Sequence, residues 1–242
     1  MDKHNFVQWK REGSIGIFSL SNGNENYLEN PDFIQIEKFK EWIDESGLKG
    51  IIIRGVGRNF SAGANLQKLN EQAKNYQLLS ERINQGKVLL NEIENLEIPV
   101  IASIDGICFG GGLEIALACH MRIASKRALF AFPEINHGLI PGLGGTFRSV
   151  KLLKHKAFEI ILNGDMMNAE KALEIGLIDD ITNDKDVFLF AMKKMQSMTE
   201  KRSPELIRYA MQALKNASNL SKEDALQKET EIFCKLASNL TV

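Results

Sequence analysis

The sequence predicts an α/β fold, because short apolar segments with strand character alternate with amphipathic segments of helical period. Ile51–Ile53 and Val100–Ile104 are apolar throughout, as strands buried on both faces are. Strand–helix–strand units repeat, and no change in composition marks a second kind of domain. We therefore expect one α/β core over residues 1–185, followed by a helical region over residues 186–242 that belongs to the same unit.

The composition is that of an ordinary globular protein, with 44% hydrophobic and 25% charged residues among 242. The 30 basic and 31 acidic residues give a net charge of −1, which argues against a general nucleic-acid or membrane-surface binder. No apolar run reaches the roughly 18 residues of a membrane span, and the first residues contain no apolar signal core.

The cysteine and histidine pattern predicts no metal site. Cys108, Cys119 and Cys234 lack metal-ligand spacing, two of them lie in apolar segments, and the four histidines are scattered. We expect reduced core cysteines in a cytoplasmic protein.

The first elements are a hairpin and a helix. Phe6–Lys10 and Ile15–Leu20 flank Glu12-Gly13 and are typical of two paired strands. Pro31 is expected to open a helix that places Ile36, Phe39, Trp42 and Ile43 on one face.

A long polar segment follows the strand at Ile51–Ile53. Asn65–Asn95 has helical character, with an interruption expected at Gly86. A mobile lid and a solvated surface are both compatible with its polarity, and the solvated surface is the default.

Helices dominate the second half of the chain, with one short strand after Gly176. The predicted helices span Lys151–Leu162, Asn168–Glu174, Asp186–Thr199, Ser203–Asn216 and Ser221–Ser238. Asn and Ser at several of these starts are favoured capping residues.

The most informative stretch is Ile101–Arg148, which contains two glycine clusters, Gly110–Gly112 and Gly142–Gly145, and two carboxylates in apolar settings. Leu113–Cys119 is almost devoid of polar residues, which predicts a helix buried all round with Glu114 in its first turn. A buried carboxylate is costly without a partner or a role, and the same reasoning applies less strongly to Glu134. The alternative is that Glu114 only complements the helix dipole.

Backbone amides are the second candidate feature. The run Ser61–Ala64 consists of small residues, and Gly110–Gly112 precedes the buried helix. Small residues allow close approach of a ligand to the backbone, although tight packing alone explains them equally well. Free N–H groups at a helix N-terminus form an anion or oxyanion site, and a carboxylate one turn later is placed for proton transfer.

Three motifs in order carry a resemblance to a known family. Residues 110–125 (GGGLEIALACHMRIAS) and 130–148 (FAFPEINHGLIPGLGGTFR) resemble the signature of the crotonase, or enoyl-CoA hydratase/isomerase, superfamily. Residues 58–69 (RNFSAGANLQKL) and 163–181 (NGDMMNAEKALEIGLIDDI) are similar to its other signatures. The resemblance implies a crotonase-like spiral of ββα units. It also implies a C-terminal helical region that assembles a homotrimer or a dimer of trimers.

The resemblance also implies catalytic roles. The backbone N–H groups of Ala64 and Gly111 would form an oxyanion hole for the thioester oxygen, where negative charge develops. Glu114 and Glu134 would hold one water: Glu134 would exchange the proton at the α-carbon, and Glu114 would accept the proton of the water. Two close carboxylates should titrate as a coupled pair.

Substrate contacts are carried over from the same family pattern. Coenzyme A would follow Ala62, Ala64, Leu66 and Lys68, and the acyl pocket would include Phe132, Leu139, Pro141 and Gly142. No metal or redox cofactor is expected, because coenzyme A enters as part of the substrate.

The sequence departs from the family near the expected coenzyme site. Asn65 replaces the usual Asp, Gln67 often has a basic counterpart, and the segment SNGNENYLEN lacks the usual Arg-Pro turn. Lys68 follows, and it either replaces the missing basic residue or is simply solvated.

Other departures concern the core and the end of the chain. His120 replaces an Asp and is expected to pack or form hydrogen bonds, while Phe132 replaces a common Gln. The chain stops at Val242, where family members often continue, so we expect a more open pocket or one closed by a neighbouring subunit.

The leading hypothesis is therefore an enzyme that hydrates 2-enoyl-CoA to 3-hydroxyacyl-CoA. An isomerase that needs one glutamate, and a decarboxylase or hydrolase using the same oxyanion hole, are the alternatives. A non-catalytic acyl-CoA-binding protein is a further alternative from a different class. Carrier-protein thioesters remain open as substrates.

Overall fold

The computed structural model describes residues 6–183 and 186–240. The strands are β1 Val7–Glu12, β2 Ile15–Leu20, β3 Gly50–Gly55, β4 Val100–Ile104, β5 Ile107–Phe109, β6 Met121–Ser125, β7 Leu129–Ala131, β8 Met167–Asn168 and β9 Asp180–Thr182. The α-helices are α1 Ile36–Ile43, α2 Leu66–Ala73, α3 Tyr76–Glu94, α4 Gly111–Ala118, α5 Gly145–Leu153, α6 Lys156–Asn163, α7 Ala169–Glu174, α8 Val187–Thr199, α9 Pro204–Asn219 and α10 Lys222–Ala237, and Pro133–His137 forms a 3₁₀ helix.

The main sheet has six strands in the order β1-β2-β3-β4-β6-β9. The predicted hairpin is confirmed, because β1 and β2 pair in antiparallel register across the turn at Gly13. Every other pairing in this sheet is parallel. Parallel neighbours require crossovers, and the intervening helices supply them.

A second, small sheet lies beside the first, in the order β5-β7-β8. β4 continues after a short turn into β5 and then into α4, so strand, strand and helix follow one another. β6 continues in the same way into β7 and the 3₁₀ helix. This repetition is the spiral of ββα units that the resemblance implied, and the α/β fold class is confirmed.

The main sheet is covered on both faces. Alternate strand residues such as Ile51, Ile53 and Ala102 face the large core formed with α1, α3 and α4. The intervening residues Ile52 and Ile101 face a smaller core. That second core is completed by α8, through Val187, Ala191, Met192 and Met195.

The helix after Pro31 is shorter than predicted. α1 begins at Ile36, after an extended Gln35 with ψ of 134°, so residues 31–35 are not helical. The prediction was wrong about this start because the segment packs across α3, where the carbonyl of Pro31 lies close to Gly86.

Gly86 does not interrupt a helix, contrary to the prediction. The break in the segment lies at Lys74-Asn75, and the side chain of Asn75 caps α3. Gly86 is buried in the middle of α3, where the carbonyl of Pro31 leaves no space for a side chain.

The helix predicted at Lys151–Leu162 is two helices. α5 ends and α6 begins around Lys154, which has a φ of +54° that no helix interior accepts. The amphipathic period continues across the break, so the pattern did not reveal it.

The last three helices lie where the sequence predicts them. Asp186, Ser203 and Ser221 cap α8, α9 and α10 with their side chains. α9 contributes Ile207 to the core, whereas α10 has no buried residue and packs on α9. The division at residues 185 and 186 stays a prediction.

Two further sequence-based expectations concern membranes and cysteines. Within residues 6–183 and 186–240, no helix combines the length and apolar character needed to cross a membrane. Cys108 and Cys119 are buried and Cys234 is exposed, and all three are free thiols.

Candidate active site

A cavity of about 810 Å³ lies between α2, α3, the segment Glu25–Pro31 and the N-terminus of α4. The glycine clusters and both candidate glutamates meet at this cavity. The predicted site residues in its wall are Ala62, Ala64, Leu66, Gly111, Glu114, Glu134, Leu139 and Gly142.

Glu114 is held by the turn that precedes α5. Its helix α4 is buried at every residue, and Glu114 itself is 2% exposed. Oε1 accepts the N–H of Leu143 at 2.6 Å and the N–H of Gly145 at 2.7 Å. Burial raises the pKa of Glu114, whereas these two N–H groups and the positive charge of Arg148 act in the opposite direction.

The turn that holds Glu114 depends on its glycines. Gly144 has a φ of +102°, a conformation that side chains strongly disfavour. A Cβ at Gly145 would lie 2.9 Å from Cγ of Glu114 and 2.9 Å from the ring of Phe132. The glycines of Gly142–Gly145 therefore allow backbone amides to approach the carboxylate of Glu114 closely.

Glu134 faces the same space from the other side. It sits in the 3₁₀ helix that Pro133 opens, and its Oε1 lies close to Gly110. Among the described residues, its buried Oε2 has no hydrogen-bond partner. Burial, with a smaller contribution from the charge of Glu114, raises the pKa of Glu134 to about 7.

The two carboxyl groups therefore differ in their ability to hold a proton. Glu114 has donors that stabilise its charged form, and Glu134 has none of comparable strength. When the pair holds a single proton, this difference favours the state in which Glu134 carries it and Glu114 is ionised. Such a pair can give a proton at one end of a bound molecule and take one at the other.

Two residues of the cavity wall, Ala64 and Gly111, have backbone N–H groups without an acceptor in the described part of the chain. The N–H of Leu28 donates to the carbonyl of Gly63, and the N–H of Asn65 donates to the carbonyl of Leu28. Ala64 lies between these two bonds, and its own N–H takes no part in them. The N–H of Gly111 lies at the start of α4. Neither N–H donates to any group within the part of the chain that the structure describes.

Ser61 brings these two amides together. Its hydroxyl donates to the carbonyl of Asn26 and accepts the N–H of Gly63, and its carbonyl accepts the N–H of Phe109. A Cβ at Gly63 would lie 3.1 Å from the nitrogen of Gly111, so the two segments nearly touch. This arrangement can bind one negatively charged oxygen.

Three predicted site residues lie outside the cavity wall. Phe132 is fully buried and packs behind Glu114 against Gly145, as Pro141 does. Lys68 is exposed and pairs with Glu71 at 3.6 Å. α2 turns Lys68 outwards because its apolar residues face the cavity.

The sequence interpretation missed the face formed by α2 and α3. Leu69, Ala73, Leu79 and Ile83 line the cavity together with Leu66. Leu66, Leu69 and Ala73 are spaced three and four residues apart in a polar stretch, and this helical period was the available signal.

Two departures from the family pattern have structural explanations. Asn65 caps α2 through Oδ1, and its Nδ2 donates to Glu29 at 3.3 Å, where an Asp would repel that carboxylate. The hydrogen-bonding role predicted for His120 is confirmed, because Nδ1 accepts the N–H of Val100 and Nε2 faces the carbonyl of Glu94. Burial lowers the pKa of His120, which agrees with a neutral ring.

The fold and the site together define an enzyme of the crotonase class: a ββα spiral with paired carboxylates beside two free amides. A profile described as enoyl-CoA hydratase/isomerase matches residues 32–242. The chain belongs to the enoyl-CoA hydratase/isomerase family.

Known relatives agree with this assignment. A probable enoyl-CoA hydratase of Bacillus subtilis is 35% identical over 223 residues, which cover 90% of this chain and 85% of that protein. A fatty acid oxidation complex subunit alpha of Shewanella amazonensis is 37% identical, and the match covers 66% of this chain but only 23% of that subunit. A crystal structure of an enoyl-CoA hydratase subunit from Geobacillus kaustophilus has a TM-score of 0.85 and 29% identity, over 96% of this chain and 90% of that chain.

Proposed function

We propose that the protein hydrates 2-enoyl-CoA to 3-hydroxyacyl-CoA. The observation that carries this proposal is the pair Glu114 and Glu134, which face one cavity in environments that hold their protons differently. The names of the relatives point to the same reaction.

The proposed mechanism assigns one role to each group. The thioester oxygen accepts the N–H groups of Ala64 and Gly111, which stabilise the enolate-like state as negative charge reaches that oxygen. Ionised Glu114 orients a water and accepts its proton while the oxygen bonds to the β-carbon. Protonated Glu134 delivers its proton to the α-carbon, so the water is added across the double bond.

The same proposal covers the carrier and the assembly. Coenzyme A is part of the substrate, and the carbon chain occupies the apolar wall that Leu69, Leu79 and Ile83 provide. No metal or redox group has a step in this mechanism. We propose a homotrimer or a dimer of trimers, supported by exposed apolar side chains such as Phe158 and Phe233 outside the cavity. The cytoplasmic location stays a prediction.

Crotonyl-CoA in heavy-oxygen water tests the reaction directly. We expect the label at the β-hydroxyl of 3-hydroxybutyryl-CoA by mass spectrometry, because the added oxygen comes from solvent. Glu134→Gln should abolish this product while the binding of a saturated acyl-CoA persists.

The matched control for that variant is Glu174→Gln, because Glu174 lies on α7 and pairs with Lys171 instead of facing the cavity. It should hydrate at the rate of the natural protein. Undiminished hydration by Glu134→Gln would contradict the assignment of the proton donor. If only 3-enoyl substrates were converted, the isomerase alternative would replace hydration.

A further inference from the structure

Arg148 is a buried cation that the proposed mechanism does not use. It lies on α5, is 5% exposed and extends towards the end of α3. Nε donates to Oε2 of Glu94 at 2.9 Å, and Nη2 donates to Oδ1 of Asn91 at 2.8 Å. Nη1 donates to the carbonyl of Leu143 at 2.9 Å.

The carbonyl that Arg148 binds belongs to the turn that holds Glu114. The N–H of Leu143 and the N–H of Gly145 are the two donors to Oε1 of Glu114. The turn is also wrapped around the guanidinium, since a Cβ at Gly144 would lie 2.6 Å from Nη1 of Arg148. Arg148 therefore supports the donors of Glu114 without touching the cavity.

We propose that Arg148 is a positioning residue: it ties the turn at Leu143–Gly145 to the end of α3 and so fixes the carboxylate of Glu114 for reaction. The chemical part of this inference rests on the hydration proposed above. A planar guanidinium suits the role because it binds a carboxylate, an amide oxygen and a carbonyl in one fixed geometry.

Other charged and titratable groups also face Glu114 or its supports. Glu134 faces it from the 3₁₀ helix, and Glu94 neutralises Arg148 from α3. Lys151 pairs with the same Glu94 at 3.5 Å, and His120 contacts the carbonyl of Glu94. The strand β5 packs on α4, and its only titratable group is the thiol of Cys108. Burial raises the pKa of that thiol.

The direction of the electrostatic effect follows from these contacts. Arg148 favours the charged form of Glu114, so loss of the guanidinium should raise the pKa of Glu114 further. Since Glu114 acts ionised in the proposed step, the acid limb of the pH profile should then move to higher pH.

Arg148→Met tests the proposal, because it removes the positive charge and the planar set of N–H donors while keeping an unbranched side chain. We expect kcat to fall by a factor on the order of 100, as for other small misplacements of reacting groups. KM should change little, and the acid limb of kcat against pH should move upwards. In Arg148→Lys, which keeps the positive charge, the acid limb should lie closer to that of the natural protein than in Arg148→Met. Its kcat should recover only in part, because Lys lacks the planar guanidinium.

Arg122→Met is the matched control. Arg122 is also 5% exposed and buried beside α4, but it pairs with Asp179 at 2.9 Å and binds the carbonyls of Leu177 and Cys119. It should lose stability without a shift of the acid limb. Equal losses of kcat in Arg148→Met and Arg122→Met, with the acid limb of the pH profile unchanged in both, would show that Arg148 is only structural. That result would overturn the proposal.

Infrared titration of the Glu114 carboxyl group, identified by difference against Glu114→Gln, separates this inference from the proposed reaction. We expect protonation of Glu114 at higher pH in Arg148→Lys and Arg148→Met than in the natural protein, with no substrate present. Absence of hydration with this shift intact would contradict the proposed function alone. Identical titrations in all three proteins would contradict the role of Arg148. If Arg148→Met does not fold, the titration of Arg148→Lys against the natural protein provides the same comparison.

Discussion

At the scale of single residues, the two glutamates show how local environment gives identical carboxyl groups different affinities for a proton. Glu114 accepts two short hydrogen bonds from backbone amides, and Glu134 has a buried oxygen without a partner among the residues that the structure describes. The sequence predicts that both are unusual, because each stands in an apolar segment. It does not predict which one keeps its proton, since that depends on a turn 29 residues beyond Glu114.

Glu134→Gln should stabilise the protein in a pH-dependent way. The folded-state pKa of Glu134 is about 7 against an ordinary value of 4.5, so the folded protein binds this proton more tightly than the unfolded chain does. Stability from this group is therefore complete below about pH 4.5 and is lost as the pH rises through 7. At pH 8, we expect Glu134→Gln to gain roughly 2 kcal/mol in the free energy of unfolding.

Urea unfolding at pH 8 and pH 5 measures this effect. Most of the gain should disappear at pH 5, where the natural carboxyl group is protonated in the folded state. Glu174→Gln, at an exposed position, should show no gain at either pH. An equal gain at both pH values would mean that packing, and not ionisation, separates Glu134→Gln from the natural protein.

At the scale of elements, helix propensity and packing make opposite predictions for Gly86. Gly→Ala inside a helix normally stabilises by about 1 kcal/mol. Here the new Cβ would lie 2.4 Å from the carbonyl oxygen of Pro31 and 2.8 Å from the side chain of Leu143. The backbone at Pro31 cannot yield as a flexible side chain does, so overpacking of about 1–3 kcal/mol should prevail.

Thermal or urea unfolding of Gly86→Ala should therefore show a net loss of stability. Because α3 lines the cavity, the KM for acyl-CoA should rise as well. Gln85→Ala is the control, since its exposed neighbouring position tests helix propensity without the contact. A stabilised Gly86→Ala protein would mean that the segment at Pro31 is free to move.

The same element scale shows what sequence patterns can and cannot predict. The strands of the main sheet at Ile51–Ile53 and Val100–Ile104, and the caps at Asn168, Ser203 and Ser221, follow from local chemistry. The break at Lys154 was missed, because the amphipathic period continues through it. Phe132 was placed in the acyl pocket from the family pattern, but its side chain packs against Gly145 behind Glu114, outside the cavity wall.

At the scale of the whole molecule, the C-terminal hairpin of α9 and α10 presents apolar surface. Phe233 is 69% exposed and Leu226 is 52% exposed, although neither lines the cavity. Isolated exposed apolar side chains are common, but the assembly expected from the resemblance would cover this region. The sequence alone predicts these helices but not which of their faces meets a partner.

Phe233→Glu should weaken the assembly, because a carboxylate would have to be buried without a partner at the proposed interface. Sedimentation velocity should show a shift from a trimeric or hexameric species towards the monomer as protein concentration falls. Gln227→Glu, an exposed polar position on the same helix, is the control. A natural protein that sediments as a monomer at every concentration would contradict the proposed assembly.

Helix α2 has eight residues and not a single buried side chain. Its apolar residues Leu66, Leu69 and Ala73 line the cavity. A fatty chain in that space would give this helix the hydrophobic core it otherwise lacks, so the substrate would complete the fold locally. Part of the binding free energy would then be spent on ordering α2, and longer chains should slow amide hydrogen exchange there more than short ones.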